Sequence, residues 1–447
     1  MAPVSDDPTV ELLRRLIRNR CVNDGTPESG HEYRSVETLA DFFGERGQVF
    51  EPEPGRQSVV YRVAGTDPEA PSLALLPHLD VVPVNPAGWS VDPFAAEISD
   101  GFVWGRGAVD MLNVTAAMAT VFRPYLLGEK VPRGDLLFVA VADEENSGTL
   151  GAKYLVENHW ELVGVDYLLT EVAYPALDTP SGPVFPIAVG EKGPYWTKLR
   201  SEGTPGHGSA PYGSDNALMP IAEALHGLFT TPMPVAITDE WREFVNGLDL
   251  DPDVAEALVD PDRVDEAVDA LAVEDPTFAR YVHAATHLTV SPNRAVGGVK
   301  TNVVPDSAEV DVDLRALPGM DRSHVDEHLR KAMGSAADRV ELLPVADHPP
   351  TSSSRSNPLW DAIVDSIEVH TGSRRVVPAL MTVATDARFF RRRGTVAYGV
   401  GLFDDRLSFG EFLSLFHGHD ERVSVESILL TTQLLTTVVD RFESLVG

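Results

Sequence analysis

His78 and Asp80 stand one residue apart, directly after the apolar run Ser72 to Leu76. Asp143, Glu144 and Glu145 follow a second apolar run, Leu136 to Ala142, and Glu171 follows a third, "DYLLT". Asp110 lies in "GRGAVDM", just ahead of a helical segment, and "FHGHDERV" near the end of the chain holds His417 and His419. Singly these are ordinary: a His-x-Asp is usually a turn pair, a Glu-Glu pair is usually a solvated face, and Glu171 could cap a strand. Together they point to chemistry. Carboxylates brought this close repel one another unless a cation neutralises them, and a divalent ion inverts the local pKa logic. Imidazole and carboxylate donors without sulfur suit zinc first, with cobalt or manganese as alternatives. The acids exceed what one ion needs. The pattern therefore predicts two divalent ions sharing a bridging carboxylate, a centre that activates water and steadies a developing oxyanion.

For these residues to meet, the runs before them must be neighbouring strands. Ligands of open parallel α/β sheets bind beyond the carboxyl ends of the strands, which is where all these side chains fall. Asp7 and Pro8 read as the cap and first residue of a helix with Leu12, Leu13, Leu16 and Ile17 on one face. A second helix is predicted from Glu32 to Arg46, stopping at Gly47. Strands and helices then alternate to about residue 192, the mark of an α/β sheet. Beyond Lys192 the order becomes β-α-β-β-α-β, the split unit of ferredoxin-like domains. After the polar link "DHPPTSSSRSNP" the α/β pattern resumes and ends in a helix from about Val425 to Val446.

The predicted fold is thus a mostly parallel α/β catalytic domain with helices on both faces, residues 1–192 and 349–447. Into it is inserted a ferredoxin-like α+β lid or dimerisation domain, residues 193–348. An acidic helical stretch at about 235–285 reads as extra surface helices on that insert, with a lid as the alternative. The run Arg391 to Arg393 reads as the cationic end of a helix stopped at Gly394.

Composition narrows the function. The 447 residues carry 68 Asp and Glu against 36 Lys and Arg, a formal net charge of −32. That argues against nucleic acid, whose phosphates need Lys and Arg, and against an anionic membrane surface. Solubility explains the acidity most simply, with attraction of cations or cationic substrates as the alternative. Cys21 is the sole cysteine, so neither an internal disulfide nor a thiolate metal cluster is possible. "MAPVSDDPTV" lacks the pattern of a leader, and no apolar run is long enough to span a bilayer, so a cytoplasmic protein is expected.

Further segments complete an ordered set: "HLDVVP", Trp89 with "DPF", "DGFVWGRGAVDM", "ADEENSG", "GTPGHGSAP", "GGVKTNVVP", "VDLRALPG", "TDARFF" and "FHGHDERV". The set covers nearly the whole chain. It resembles the co-catalytic zinc metallopeptidases of family M20, which include aminoacylase, carboxypeptidase G, succinyl-diaminopimelate desuccinylase, acetylornithine deacetylase and the cytosolic dipeptidases. The resemblance implies that His78, Asp110 and Glu171 hold one metal, and that Asp110, Glu145 and His417 hold the other. It implies that Asp80 orients His78, as carboxylate–histidine–metal pairs do. Glu144 becomes the general base that takes a proton from the attacking water and passes it to the leaving nitrogen. Of the two late histidines, the family pattern selects His417, two residues ahead of an Asp-Glu pair, and leaves His419 a neighbour.

In the insert, His207 resembles the histidine that reaches a substrate carbonyl, often across a dimer, and stabilises the oxyanion. A loop histidine between two glycines is its plain alternative. Asn302 and Arg315 resemble groups that bind a substrate carboxylate, a task suited to an arginine fork; for Arg315 a salt bridge to a neighbouring aspartate is the alternative. The chain departs from the family at "DMLN" (Met111, Leu112, Asn113), which leaves the ligands intact, and at "YGVGLF", which bears on specificity. The resemblance implies a homodimeric hydrolase of small N-acyl amino acids or peptides, cutting an amide beside a free carboxylate. A dipeptidase, a single-metal enzyme and a catalytically retired metal-binding scaffold are the competing readings.

Overall fold

The computed structural model describes residues 7–171 and 174–446. The expected absence of a leader falls partly on residues 1–6, outside the described residues.

The larger sheet runs in the order Gln48–Phe50, Ser58–Val63, Leu136–Ala140, Leu73–Leu75, Tyr167–Thr170, Val396–Gly399, Phe185–Glu191 and Thr351–Ser352, with Val376–Met381 also paired to Phe185–Glu191. Its middle is parallel: Leu73–Leu75 lies between Leu136–Ala140 and Tyr167–Thr170, and Val396–Gly399 follows in the same direction. The first two strands join antiparallel. The central strands are buried on both sides, which is why they read as unbroken apolar runs. One face packs on the helices Pro8–Arg18, Leu112–Leu126, Pro358–Thr371 and Val425–Leu445; the other packs on Ala152–Asn158 and Ala387–Arg391.

Asp7 caps the first helix by accepting from the Thr9 N–H, and Pro8 opens it. The second helix spans Tyr33–Phe43, shorter than its apolar pattern suggests. Gly44, at φ 79°, turns left-handed and ends it before the predicted stop at Gly47.

The second sheet has the order Thr289–Gly297, Ser307–Ala316, Thr197–Glu202, Glu341–Pro344, all antiparallel, with the helices Leu218–Thr230 and Arg322–Met333 packed over it. This is the ferredoxin-like arrangement, with its own apolar core.

The acidic stretch differs from its expectation. It forms the helices Asp239–Gly247, Pro252–Leu258, Val264–Glu274 and Pro276–Thr286. Their buried residues Trp241, Phe244, Val245, Tyr281 and Val282 pack on Val377, Ala379 and Met381 of the larger sheet and on Phe409. The stretch therefore joins the catalytic body and not the inserted sheet. Its acids face water while one apolar stripe seals the sheet.

The arginine run closes the helix Ala387–Arg391 as expected, with Gly394 left-handed at φ 98° just beyond it; Arg391 is in addition buried and pairs with Glu191 at 2.8 Å. Among the described residues no helix is long and apolar enough to cross a membrane.

Candidate metal centre

The three parallel strands end side by side, and the residues after them turn toward one point. His78 follows Leu73–Leu75, Glu144 and Glu145 follow Leu136–Ala140, and Glu171 follows Tyr167–Thr170. Asp110 arrives from the loop ahead of the Leu112–Leu126 helix, and His417 from the turn after Phe409–Leu415. Two sets of donor atoms result, each within 4.8 Å: His78, Asp110 and Glu171, and Asp110, Glu145 and His417. Asp110 belongs to both. Its Oδ1 lies 3.4 Å from His78 Nε2 and its Oδ2 lies 3.2 Å from His417 Nε2. Glu171 stands 3.5 Å from His78 Nε2, and Glu145 stands 3.2 Å from His417 Nε2.

The electrostatics are those of a cation site. Burial first, and the Glu171 carboxylate next, push Glu144 well above the ordinary carboxylate range. Burial and Asp110 push Glu145 up to about 7. Hydrogen bonds to Asp110 and Glu145 raise His417 to about 10. Burial opposes charging His78, but Glu171, Asp110 and Asp80 outweigh it and hold its pKa well up. In other words, protons are drawn in to do what a divalent ion does better. Glu145 Oε1 is buried without a hydrogen-bond partner among the described residues, which fits a carboxylate oxygen that serves as a metal ligand. These two sets of oxygen and imidazole ligand atoms fit zinc, cobalt or manganese.

Asp80 is fully buried, and its role differs in detail from the expectation. His78 Nδ1 is nearest the Asp80 backbone carbonyl, at 3.0 Å, with the carboxylate Oδ1 at 3.6 Å. The carboxylate instead accepts the N–H groups of Glu144 and Glu145, each at 3.2 Å, and Asn23 Nδ2 at 2.8 Å. One aspartate thus fixes both the imidazole and the turn that carries Glu144 and Glu145.

Sequence reasoning missed the residues that brace this cluster. Arg56, buried, pairs with Glu32 at 2.8 Å and Asp143 at 3.0 Å, and Asn23 links Asp143 to Asp80. Arg106, also buried, pairs with Glu421 at 2.7 Å and donates to the carbonyls of His417 and Gly418. Glu421 accepts the N–H groups of Gly107, Val109 and Asp110. This pair clamps the Asp110 loop to the His417 turn. Its signal was present, since Arg106 and Glu421 both lie inside quoted motifs. Arg56 and Glu32 lie in no motif, and nothing in the sequence pairs them.

His419 is not in the cluster. Its ring lies so close to Gly88 that a Cβ there would fall 1.8 Å from Nδ1. The cavity over the cluster has a volume of about 590 Å³, and Glu144, Arg315, Trp196 and Arg388 share its lining with the ligand groups. Arg315 also pairs with Asp313 at 3.1 Å. His207 and Asn302 lie elsewhere. Both are exposed on a short ribbon of the inserted layer, where His207 pairs with Val303 and the Asn302 carbonyl accepts from Gly208 at 2.8 Å. Neither lines the cavity.

Comparison with known proteins agrees with this geometry. The model of "Peptidase family M20/M25/M40" matches residues 74–441. Aminoacylase-1 of Homo sapiens is 28% identical over 99% of this chain and 97% of its own length. Succinyl-diaminopimelate desuccinylase of Rhodospirillum centenum is 26% identical over 99% and 98%. Among solved structures, the M20 metallo-carboxypeptidase Sso-CP2 of Sulfolobus solfataricus superposes with a TM-score of 0.72 at 18% identity, covering 98% of this chain and all of that one. Human carnosine dipeptidase 1 gives 0.70 at 15% identity, covering 98% and 97%. With the family model spanning most of the chain, this protein belongs to peptidase family M20/M25/M40 and is a metal-dependent hydrolase of amide or peptide bonds.

Proposed function

We propose that this enzyme cleaves an amide bond adjacent to a free carboxylate, in an N-acyl amino acid or a small peptide. One observation carries the reading: a single cavity is lined by Asp110, Glu145, Glu171 and His417 of the two ligand groups, by the base candidate Glu144, and by Arg315. His78, Asp110 and Glu171 would hold one divalent ion and Asp110, Glu145 and His417 a second, zinc by preference. Bound there, the ions supply Lewis-acid polarisation of a carbonyl and acidify water.

The chain's own residues do the rest. Glu144, raised in pKa by burial, takes the proton of the attacking water and delivers it to the departing amide nitrogen. Asp80 keeps that glutamate in place through its backbone N–H. Arg315 orients the substrate carboxylate with a planar fork of donors. His207 and Asn302, exposed on the inserted layer, complete the site from the second subunit of a homodimer, with His207 steadying the oxyanion and Asn302 the carboxylate. The dimer forms through the inserted layer, and the protein works in the cytoplasm.

The test is a panel of N-acyl amino acids, the same compounds with the carboxylate converted to carboxamide, and dipeptides, assayed with zinc-loaded protein. Cleavage that needs the free carboxylate is expected. Equal cleavage of the carboxamides removes the role of Arg315, cleavage of dipeptides alone makes it a dipeptidase, and metal binding without any cleavage leaves a retired scaffold.

A further inference from the structure

The cavity wall beyond the ligand groups carries an unusual balance for so acidic a chain. Among the described residues its carboxylates are Asp110, Glu144, Glu145 and Glu171, which are the metal ligands and the base. The other charged side chains on it are Arg280, Arg315 and Arg388. Residues 172 and 173, outside the described residues, are valine and alanine in the sequence. A substrate ammonium group entering here meets no carboxylate that is not already engaged. Burying a charge unpaired is costly.

Apolar surface occupies the space instead. Tyr174 and Tyr281 are nearly buried, their ring centroids 6.4 Å apart, and each packs on Phe409, at 5.6 and 5.8 Å. The Tyr281 hydroxyl donates to the Leu380 carbonyl at 3.3 Å, so its polar end is already satisfied. Leu413 and Phe416 continue the wall toward His417. Thr277, Tyr281 and Ala284 share one face of the Pro276–Thr286 helix at i, i+4 and i+7, and all three line the cavity.

The helix also has a direction relative to the site. At its C-terminal end Lys192 Nζ donates to the Ala284 carbonyl at 2.8 Å and to Thr289 Oγ1 at 3.1 Å, and Thr289 is the strand partner of Arg315. At its N-terminal end Thr277 lies against Gly410, beside Leu413. A ligand with its carboxylate at Arg315 and its carbonyl at the metal ligands has its other arm left to run toward Thr277 and Leu413.

Resting on the hydrolase reading above, we infer that this wall is an acyl subsite. The substrate carries, on the carbonyl side of the scissile amide, an uncharged apolar acyl chain of several carbons, and the Pro276–Thr286 helix with Leu413 sets its length. The acidic stretch is then a specificity element, and free-amine dipeptides are poor substrates.

The experiment compares N-acetyl-, N-hexanoyl-, N-octanoyl- and N-succinyl-leucine with glycyl-leucine. It measures kcat/KM on zinc-loaded protein and Kd on metal-free protein, where no turnover occurs. The expected kcat/KM rises at least about tenfold from acetyl to octanoyl, since each buried methylene adds several-fold, and Kd falls in parallel. Thr277→Trp, which narrows the far end, lowers the octanoyl-to-acetyl ratio at least about fivefold. Leu413→Ala, which widens it, moves the optimum to a longer chain. A ratio that is flat or falls with chain length overturns the inference, as does preference for succinyl (an anion at Arg280) or for glycyl-leucine. Loss of all cleavage with Kd still improving along the series strikes the hydrolase reading and leaves the subsite standing. Cleavage of acetyl-leucine with no gain on lengthening strikes the subsite alone.

Discussion

His78 and His207 are both histidines in family motifs, yet the molecule treats them in opposite ways. His78 is 1% exposed, sits at the end of a central strand, and is held by the Asp80 carbonyl on one nitrogen and the Asp110 and Glu171 carboxylates on the other. His207 is exposed on a two-residue strand, with Ser209 Oγ at 2.7 Å from Nδ1 as its nearest side-chain partner. The first is positioned by its own chain before any ligand arrives. The second is held by its own chain only at an exposed serine, and on the proposed reading it acts on a substrate bound elsewhere. A rigid set of ligands has to be preorganised within tenths of an ångström, whereas a group that closes over substrate can be carried on a mobile partner.

The sharpest way to break this contrast is Glu144→Gln. On the proposed role, in which Glu144 moves protons and ligates nothing, kcat falls by about 10³ or more while metal content per chain, measured on the same preparation, stays constant. Lost metal would instead make Glu144 a ligand. His207→Ala lowers kcat by about 10² to 10³ without touching metal content. If the proposed dimer shares His207 across subunits, mixing His207→Ala chains with Glu144→Gln chains restores part of the activity, because one site of each mixed dimer receives an intact base and an intact histidine. No recovery on mixing, together with a solution mass of one chain, confines any role of His207 to its own subunit.

Arg106→Met probes the bracing on the preorganised side. It leaves the Glu421 carboxylate buried and loosens the Asp110 and His417 loops, so metal affinity by titration calorimetry drops about 10- to 100-fold. An unchanged affinity means the loops hold themselves.

The smallest expected effect lies between the two layers, at Lys192. Burial, then the charge of Arg315, pushes this lysine down to about 7. Its pKa is depressed in the folded state relative to an ordinary lysine. Between about pH 7 and the usual lysine range the unfolded chain therefore binds more protons than the folded one, and stability rises with pH. Relative to Lys192→Met, the metal-free wild type gains up to about 1.4 kcal/mol per pH unit across that window. Equal slopes in chemical denaturation show that Lys192 stays charged.

Much of this was legible because strand ends obey simple rules. Unbroken apolar runs such as Leu136 to Ala140 announce strands covered on both faces, and polar residues directly after them must emerge at one sheet edge. The β-α-β-β-α-β order of the insert was equally readable. The acidic stretch was misjudged because its helices alternate acids with apolar residues. Such an amphipathic pattern states that a helix has a partner and not which one. Trp241 and Phe244 could have packed on either sheet, and in the folded chain they lie with Val377 and Met381. The run Arg391 to Arg393 does close a helix, as its charge and Gly394 suggest; what no local pattern states is that Glu191, two hundred residues away, stands beside the first arginine.

The sequence alone determined which chemistry was available: oxygen and imidazole donors at successive strand ends, and one cysteine, too few for a thiolate cluster. Periodicity and local turn chemistry are properties of neighbouring residues, so they survive in a linear string. Only the tertiary structure decided that Asp110 stands between His78 and His417, that Arg106 clamps both loops through Glu421, and that the Pro276–Thr286 helix walls the cavity. Those are contacts between segments tens to hundreds of residues apart, chosen by which buried charges and apolar faces satisfy one another once the chain has closed.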